Sequence, residues 1–331
     1  MMRAGGWEDG RTMTVQSCWV VSDGSPGMEN EARGLAEALE VPFSIKRVRP
    51  RAPWTWLPAQ LWPNPFASLG ADSDPLEPPW PDLVIGCGRK SVPLTLAIRR
   101  ASRQRTFTVQ LQHPRVSRHY FDLVVPPRHD RLAGSNVIPT RGALHRVTPE
   151  LIAAGASQVA GSVSHLPRPL VAVLIGGNSA NYRLDTQTMR SICHDLVALT
   201  RETGCGLMIT ASRRTGAANE QMLRERMRDV AAVVWDGTGA NPYYGYLGLA
   251  DFILVTCDSV AMVSEACATG KPVYVIALPG RGGKHDAFHA GLRADGFTRA
   301  FAGKLESWTY QPLDDTGLVA AEIKRRLALA A

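Results

Sequence analysis

Three stretches in the second half of the chain carry residue types suited to a nucleoside diphosphate. Gly176-Gly177-Asn178 allows close backbone approach to a ligand, and Arg213 and Arg214 offer guanidinium forks that match diphosphate oxygens. Ser259 sits where a helix opens, and a helix N-terminus carries unpaired N–H groups and partial positive charge. Further along, Glu265 is placed to reach a ribose hydroxyl if a nucleotide sits there. Taken singly, Ser259 is only an N-cap and Glu265 only a solvated helix residue. Three strand ends of one sheet carrying such groups make a nucleotide diphosphate the leading candidate.

The first half offers weaker signals. Asp23-Gly24-Ser25-Pro26-Gly27-Met28-Glu29-Asn30 is a glycine-rich turn between a strand and a helix. It is neither the dinucleotide pattern nor a Walker loop, and a purely structural turn explains it as well. Arg89 and Lys90 fall at a helix start, where cations are unfavourable unless an anion offsets them. His113 lies just past a strand's carboxyl end, where open α/β sheets place ligands, although a lone loop histidine is usually unremarkable. Asp72-Ser73-Asp74 has the form of a sugar-nucleotide metal clamp but lies in a proline-rich loop, so it is discounted and no metal is expected.

The element that must position the first group runs from Phe252 to Val275. Phe252 to Thr256 reads as a buried parallel strand, Ser259 to Gly270 as a helix, and Val273 to Ile276 as the next strand. The same alternation recurs before it. Strands are expected at Leu170 to Ile175, Gly206 to Thr210 and Ala232 to Trp235, with helices at Asp185 to Thr203, Asn219 to Asp229 and Pro242 to Ala250. In the first half, strands are expected at Ser17 to Ser22, Phe43 to Val48, Asp82 onward, Phe107 to Leu111, Leu123 to Val125 and Asn136 to Ile138. Two such series imply an α/β protein of two Rossmann-like parallel-sheet domains facing across a cleft. The expected divisions are a disordered lead-in at 1–14, domains at 15–165 and 166–310, and a C-terminal helix at 311–331.

Composition narrows the class. Of 331 residues, 45% are hydrophobic and 20% charged, as in an ordinary globular protein, and no apolar run is long enough to span a bilayer. Six cysteines lie mostly in apolar segments without a C-x-x-C pair, so buried thiols in a reducing cytoplasm are expected. The net charge of +7 favours an anionic partner. The arginines are scattered, which argues against nucleic acid. Residues 50–81 hold four of the eight tryptophans: 54, 56, 62 and 80. Trp54, Trp56, Trp62 and Phe66 could form an interfacial patch on an anionic membrane surface. The plainer alternative folds the segment over the N-terminal core.

The strand-Gly-Gly, strand-Ser-Arg-Arg and strand-Ser-x₅-Glu-Ala order resembles the GT-B glycosyltransferases, notably the peptidoglycan N-acetylglucosaminyl transferase. Ser22-Asp23-Gly24-x-Pro26-Gly27-x-x-Asn30, Pro81 to Lys90, Gln112-His113-Pro114-Arg115 and Ile175 to Ser179 more closely resemble a bacterial family. That family is related to the plant fission factor named for elongated mitochondria, and its bacterial members are regarded as candidate glycosyltransferases. The resemblance covers roughly residues 15 to 310. It implies a nucleotide-sugar donor, UDP-linked by preference, on the C-terminal domain and a saccharide or lipid-linked acceptor on the N-terminal one. Gly176, Gly177 and Asn178 would be the donor phosphate loop, Arg213 and Arg214 diphosphate contacts, Ser259 the cap at the phosphates and Glu265 the ribose ligand. Gly24, Pro26, Gly27, Asn30, Arg89 and Lys90 would serve the acceptor. The Gly-His pair of the peptidoglycan enzyme's loop is absent, which leaves Asp23 or His113 as base. The implied reaction is metal-independent and uses no cofactor beyond the co-substrate, in the cytoplasm or at the inner face of the membrane. A membrane-associated scaffold and a nucleotide-sugar epimerase are the competing classes.

Overall fold

The computed structural model describes residues 15–327; the expected lead-in at 1–14 and the last residues of the terminal helix lie outside them. Contacts divide the chain into two compact units. Unit 1 gathers the residues up to 140, 144–146 and those from 315 onward, and unit 2 gathers 141–143 and 147–314.

Unit 1 is built on a parallel sheet. β1 (Cys18–Ser22), β2 (Phe43–Arg47), β3 (Leu83–Cys87), β4 (Phe107–Leu111) and β5 (Leu123–Val125) lie in the order β2-β1-β3-β4-β5. β1, β3 and β4 are buried throughout, as mostly apolar strands covered on both faces must be. α1 (Pro26–Ala38) starts with proline in its first turn and packs Ala32, Leu35 and Ala36 against Val20 and Ile85. α2 (Ser91–Ala101) covers the opposite face, where Leu94 and Ile98 meet Trp19, Val21 and Val84. The strand expected at Asn136 to Ile138 is only an isolated bridge between Val124 and Val137. Pro139 follows at once and has no N–H to extend the ladder.

Residues 50–81 form short 3-10 turns at Trp54–Trp56, Ala59–Leu61 and Phe66–Ser68. Phe66 stacks on Trp80 at 5.5 Å, Trp80 meets Trp19 edge-on at 6.0 Å, and Trp54 tilts against Trp62 at 6.0 Å. The segment therefore folds down on unit 1. Trp62 is buried, so the four aromatics do not make one outward patch; Trp56 at 76% and Leu61 at 58% exposure remain outside.

Unit 2 carries α3 (Pro149–Val163), β6 (Leu170–Ile175), α4 (Thr186–Thr203), β7 (Gly206–Ala211), α5 (Ala217–Arg226), β8 (Ala232–Val234), α6 (Tyr243–Leu249), β9 (Phe252–Thr256), α7 (Val260–Cys267), β10 (Val273–Ile276), α8 (Lys284–Ala294) and β11 (Thr298–Ala300). Its sheet is parallel, in the order β11-β10-β9-β6-β7-β8. Asp185 caps α4 by accepting from Thr188 N–H at 2.8 Å, and Gly204 ends it at φ +70°. α3 falls in unit 2, before the boundary expected at 165, because Gly155 and Gly245 let it lie against α6 with almost no gap. The chain then returns to unit 1: α9 (Asp315–Leu327) adds Val319, Ala320, Ile323 and Leu327 to the core that α1 forms.

Candidate functional site

In unit 2 the chain runs outward from β6 to β8, then starts again at β9 and runs the other way. The order therefore reverses between β6 and β9, the place where open α/β sheets bind ligands beyond their carboxyl ends. Gly176-Gly177-Asn178 leaves β6 here and Cys257-Asp258-Ser259 leaves β9.

The backbone N–H groups of the two-glycine turn are spent within the protein. Gly176 N–H donates to Thr256 Oγ1 at 2.7 Å, Gly177 N–H to Asp258 Oδ2 at 3.0 Å, and Asn178 N–H to the Arg214 carbonyl at 3.1 Å. The glycines are needed for these approaches: a Cβ on Gly176 would meet Asp258 Oδ1 at 2.2 Å, and one on Gly177 the Arg214 carbonyl at 2.1 Å. Close backbone approach is thus used on Asp258 and Arg214 rather than reserved for a phosphate. Asn178 Oδ1 accepts from Leu184 N–H at 3.0 Å.

The two arginines part company. Arg214 pairs with the fully buried Asp258 carboxylate at 2.8 Å, and Thr256 Oγ1 donates to the same carboxylate at 2.7 Å. Ser212 and Thr215 hydroxyls both donate to the Gly176 carbonyl, which locks the β7 turn to the β6 turn. Arg213, next in the chain, is exposed and forms no ion pair or hydrogen bond among the described residues. It is the guanidinium left available to an incoming anion.

Ser259 caps α7, its hydroxyl accepting from Met262 N–H at 3.4 Å, which leaves the first N–H groups of the helix without intrahelical partners. α7 ends at Cys267, short of Gly270, which takes φ +72° beyond the helix. Glu265 is buried, not solvated, and accepts a hydrogen bond from the Tyr243 hydroxyl at 2.5 Å. Burial and the Glu265 carboxylate raise the Tyr243 hydroxyl well above its ordinary range, so it stays a donor. Near the same strand ends His289 Nε2 donates to the Cys257 carbonyl at 2.8 Å, and the His285 ring lies against Tyr182 at 5.9 Å. Burial lowers both imidazoles, keeping them neutral.

In unit 1 the order reverses between β1 and β3. Asp23 follows β1; it accepts from Ser25 N–H at 3.0 Å and pairs with Lys90 at 3.1 Å. Burial alone would raise this carboxyl, but the Ser25 and Lys90 hydrogen bonds outweigh it and hold it below its usual value. Arg89 donates to the Leu57 and Trp56 carbonyls at 3.2 and 3.5 Å. The structure thus brings Asp23, Arg89 and Lys90 together. Gly24 supplies the turn at φ +79°, while Pro26, Gly27 and Asn30 face solvent. His113 Nδ1 accepts from Arg115 N–H at 3.0 Å.

Sequence reasoning missed Glu31. Its carboxylate accepts from Gln112 Nε2 at 3.4 and 3.5 Å, and Gln112 itself sits at φ +65° directly after β4. Burial pushes Glu31 from the ordinary 4.5 up to about 7. The available signal was its place beside Ala32 and Leu35 on the face of α1 turned to the sheet. Asp258 was noted only as part of a turn, because nothing local marks a carboxylate as buried.

All six cysteines are free and buried. Among the described residues no group of three or more His, Cys, Asp or Glu could hold a metal, and no helix is long and apolar enough to cross a membrane.

The fold has known relatives. The UDP-GlcNAc 2-epimerase of Methanocaldococcus jannaschii superposes with a TM-score of 0.58 at 11% identity, covering 95% of this chain and 99% of that one. The UDP-GlcNAc 2-epimerase of Neisseria meningitidis, determined bound to UDP-GlcNAc, gives 0.53 at 11% identity over 95% and 92%. At these identities the likeness is one of fold, the GT-B type of two parallel-sheet α/β domains. In sequence, the mitochondrial fission protein ELM1 of Arabidopsis thaliana is 35% identical over 275 residues, 75% of this chain. The match spans 64% of that relative's length. A family model described as "Mitochondrial fission ELM1" matches residues 26–327, and the chain belongs to the mitochondrial fission ELM1 family.

Proposed function

We propose that this chain is a sugar transferase whose unit 2 takes a nucleotide-diphosphate sugar, UDP-linked by preference, and whose unit 1 takes the acceptor. The observation that carries the reading is the β6/β9 order reversal of unit 2. There the unpaired start of α7, the unpartnered Arg213 and the buried Glu265 belong to neighbouring turns. Arg214 and the two-glycine turn act as the frame, because their hydrogen-bonding groups are already committed to Asp258, Thr256 and one another.

The chemistry is displacement at the anomeric carbon. The leaving diphosphate gains charge as the bond breaks, and Arg213 with the first N–H groups of α7 offsets that charge. The acceptor hydroxyl loses its proton to a carboxylate of unit 1. Glu31 suits that task better than Asp23, since a base near neutral pKa both accepts and releases the proton, and Asp23 is held low by Ser25 and Lys90. His113, with Nδ1 already engaged, can act only through Nε2. A cell-envelope or lipid-linked saccharide is the proposed acceptor class.

A second reading follows from the family. The Arabidopsis relative is named a fission protein, which supports a non-enzymatic recruiter on the same fold. Thermal shift against UDP, GDP, ADP, CMP and their sugars, with and without EDTA, separates the two. The transferase reading expects one nucleotide to raise the midpoint by several degrees at ligand far above its Kd, unaffected by EDTA and lost in Arg213→Ala. No response to any nucleotide overturns it in favour of the recruiter.

A further inference from the structure

Unit 1 contains a cavity of about 180 Å³ at its own order reversal, between the carboxyl ends of β1 and β3. Its floor comes from the turns that leave those strands: Asp23 and Met28 on one side, Cys87, Arg89 and Lys90 on the other. Its roof is the tryptophan-rich segment, through Leu57 and Trp62. The sheet topology that locates the nucleotide site of unit 2 thus locates a second concave site here, on different residues.

Charge and shape define what fits. Lys90 is the N-cap residue of α2 and gives that helix no side-chain cap, so its ammonium sits at the positive end of the helix beside the Arg89 guanidinium. One carboxylate, Asp23, faces these two cations, and the lining keeps an excess positive charge. The Arg89 contacts to the Trp56 and Leu57 carbonyls are at the long end of hydrogen bonding, so exchanging them for an anion's oxygens costs little. The remaining wall is apolar: Met28, Leu57, Trp62 and Pro93. The volume lies below the range of roughly 300–1,000 Å³ typical of clefts that enclose a drug-sized ligand. A whole nucleotide sugar does not fit, whereas one phosphate and a compact body do.

We propose that this cavity binds the end of a small phosphomonoester, with Arg89 and Lys90 taking the phosphate and Leu57 and Trp62 covering an apolar flank. The flank is either a prenyl chain or the apolar face of a sugar; the phosphate chemistry is common to both. The role of this site as acceptor site rests on the transferase reading, while its occupancy does not.

Isothermal titration of the full chain with inorganic phosphate, glucose 1-phosphate and geranyl phosphate tests it without any activity. Binding of at least one ester is expected, tighter than inorganic phosphate, with Kd raised about tenfold or more by Arg89→Ala and by Lys90→Gln. Arg213→Ala leaves that Kd unchanged. Lys90→Gln guards against collapse of the roof, which Arg89 holds and Lys90 does not touch. Glucose 1-phosphate alone identifies a saccharide source and geranyl phosphate alone a lipid one. No ester bound at about 10 mM overturns the proposal. So does inorganic phosphate binding as tightly as both esters, insensitivity to Lys90→Gln, or weakening by Arg213→Ala. A nucleotide response that survives alongside such a failure leaves the unit 2 site standing.

Discussion

Asp258, its carboxylate wholly out of solvent, holds the Arg214 guanidinium at 2.8 Å, while the Arg214 carbonyl takes the N–H of Asn178. A single arginine thereby ties the turns after β6, β7 and β9 into one body. Its sequence neighbour Arg213 does none of this. Arg214→Ala should strip a buried carboxylate of its counter-ion and destabilise the protein by about 2 kcal/mol, the cost moderated by the hydrogen bonds Asp258 keeps from Gly177 and Thr256. Arg213→Ala should stay within about 0.5 kcal/mol of the parent and lose nucleotide binding instead. Urea denaturation beside calorimetric titration with UDP reads both.

Glu31 gives a pH signature. Its folded-state pKa of about 7 lies above the ordinary 4.5, so the folded protein holds a proton that the unfolded chain has released between those values. Stability should therefore be highest on the acid side of this window and fall as pH rises from about 4.5 to about 7, by up to about 3 kcal/mol at ~1.4 kcal/mol per unit. Comparing Glu31→Gln with the parent across pH 4.5 to 8 isolates the effect: the glutamine variant should lack that fall. Parallel curves for the two proteins would show that Glu31 ionises normally.

The Glu265 carboxylate, already bonded to Tyr243, is expected to accept from a ribose hydroxyl. The parent should bind UDP about tenfold more tightly than 2′-deoxy-UDP, a difference of ~1.4 kcal/mol that suits one charge-assisted hydrogen bond. In Glu265→Gln the two affinities should converge. Unchanged discrimination would remove Glu265 from the ribose.

Trp62 and Trp56 are two residues of one segment with opposite fates. Trp62→Ala empties a buried site and should cost about 3 kcal/mol, whereas Trp56→Ala should change stability by less than about 0.5 kcal/mol. Thermal or urea denaturation of the two variants checks the pair. Equal losses would mean that the 3-10 turns are held by Trp56 in a way its exposure does not suggest.

What the sequence discloses follows the length and patterning of each run. LVAVLI, FILVT and CWVVS are buried on both faces and announce parallel strands without help from their surroundings. Thr298–Ala300 does not: it is three residues long with two exposed, and only pairing with β10 makes it a strand. The tryptophan segment is legible as proline-broken but not as roofing a cavity, since that depends on Phe66, Trp80 and Trp19 meeting across distant parts of the chain. At the site, Arg213 and Arg214 look alike in sequence. What separates them is Asp258, a contact between turns about 45 residues apart that no local pattern encodes. The glycine pair likewise signals a close approach without saying to what.

Helix α9 bears on how the molecule is made. Val319, Ala320, Ile323 and Leu327 complete an apolar face that α1 and its strands begin some three hundred residues earlier. During synthesis that face has no native cover until the last stretch of chain leaves the ribosome, whereas every residue of unit 2 has by then been made. Unit 2 is in effect an insertion, and the usual N-terminal-first order of assembly is inverted. Nascent unit 1 must wait with its hydrophobic flank open, which makes it the natural client of a chaperone.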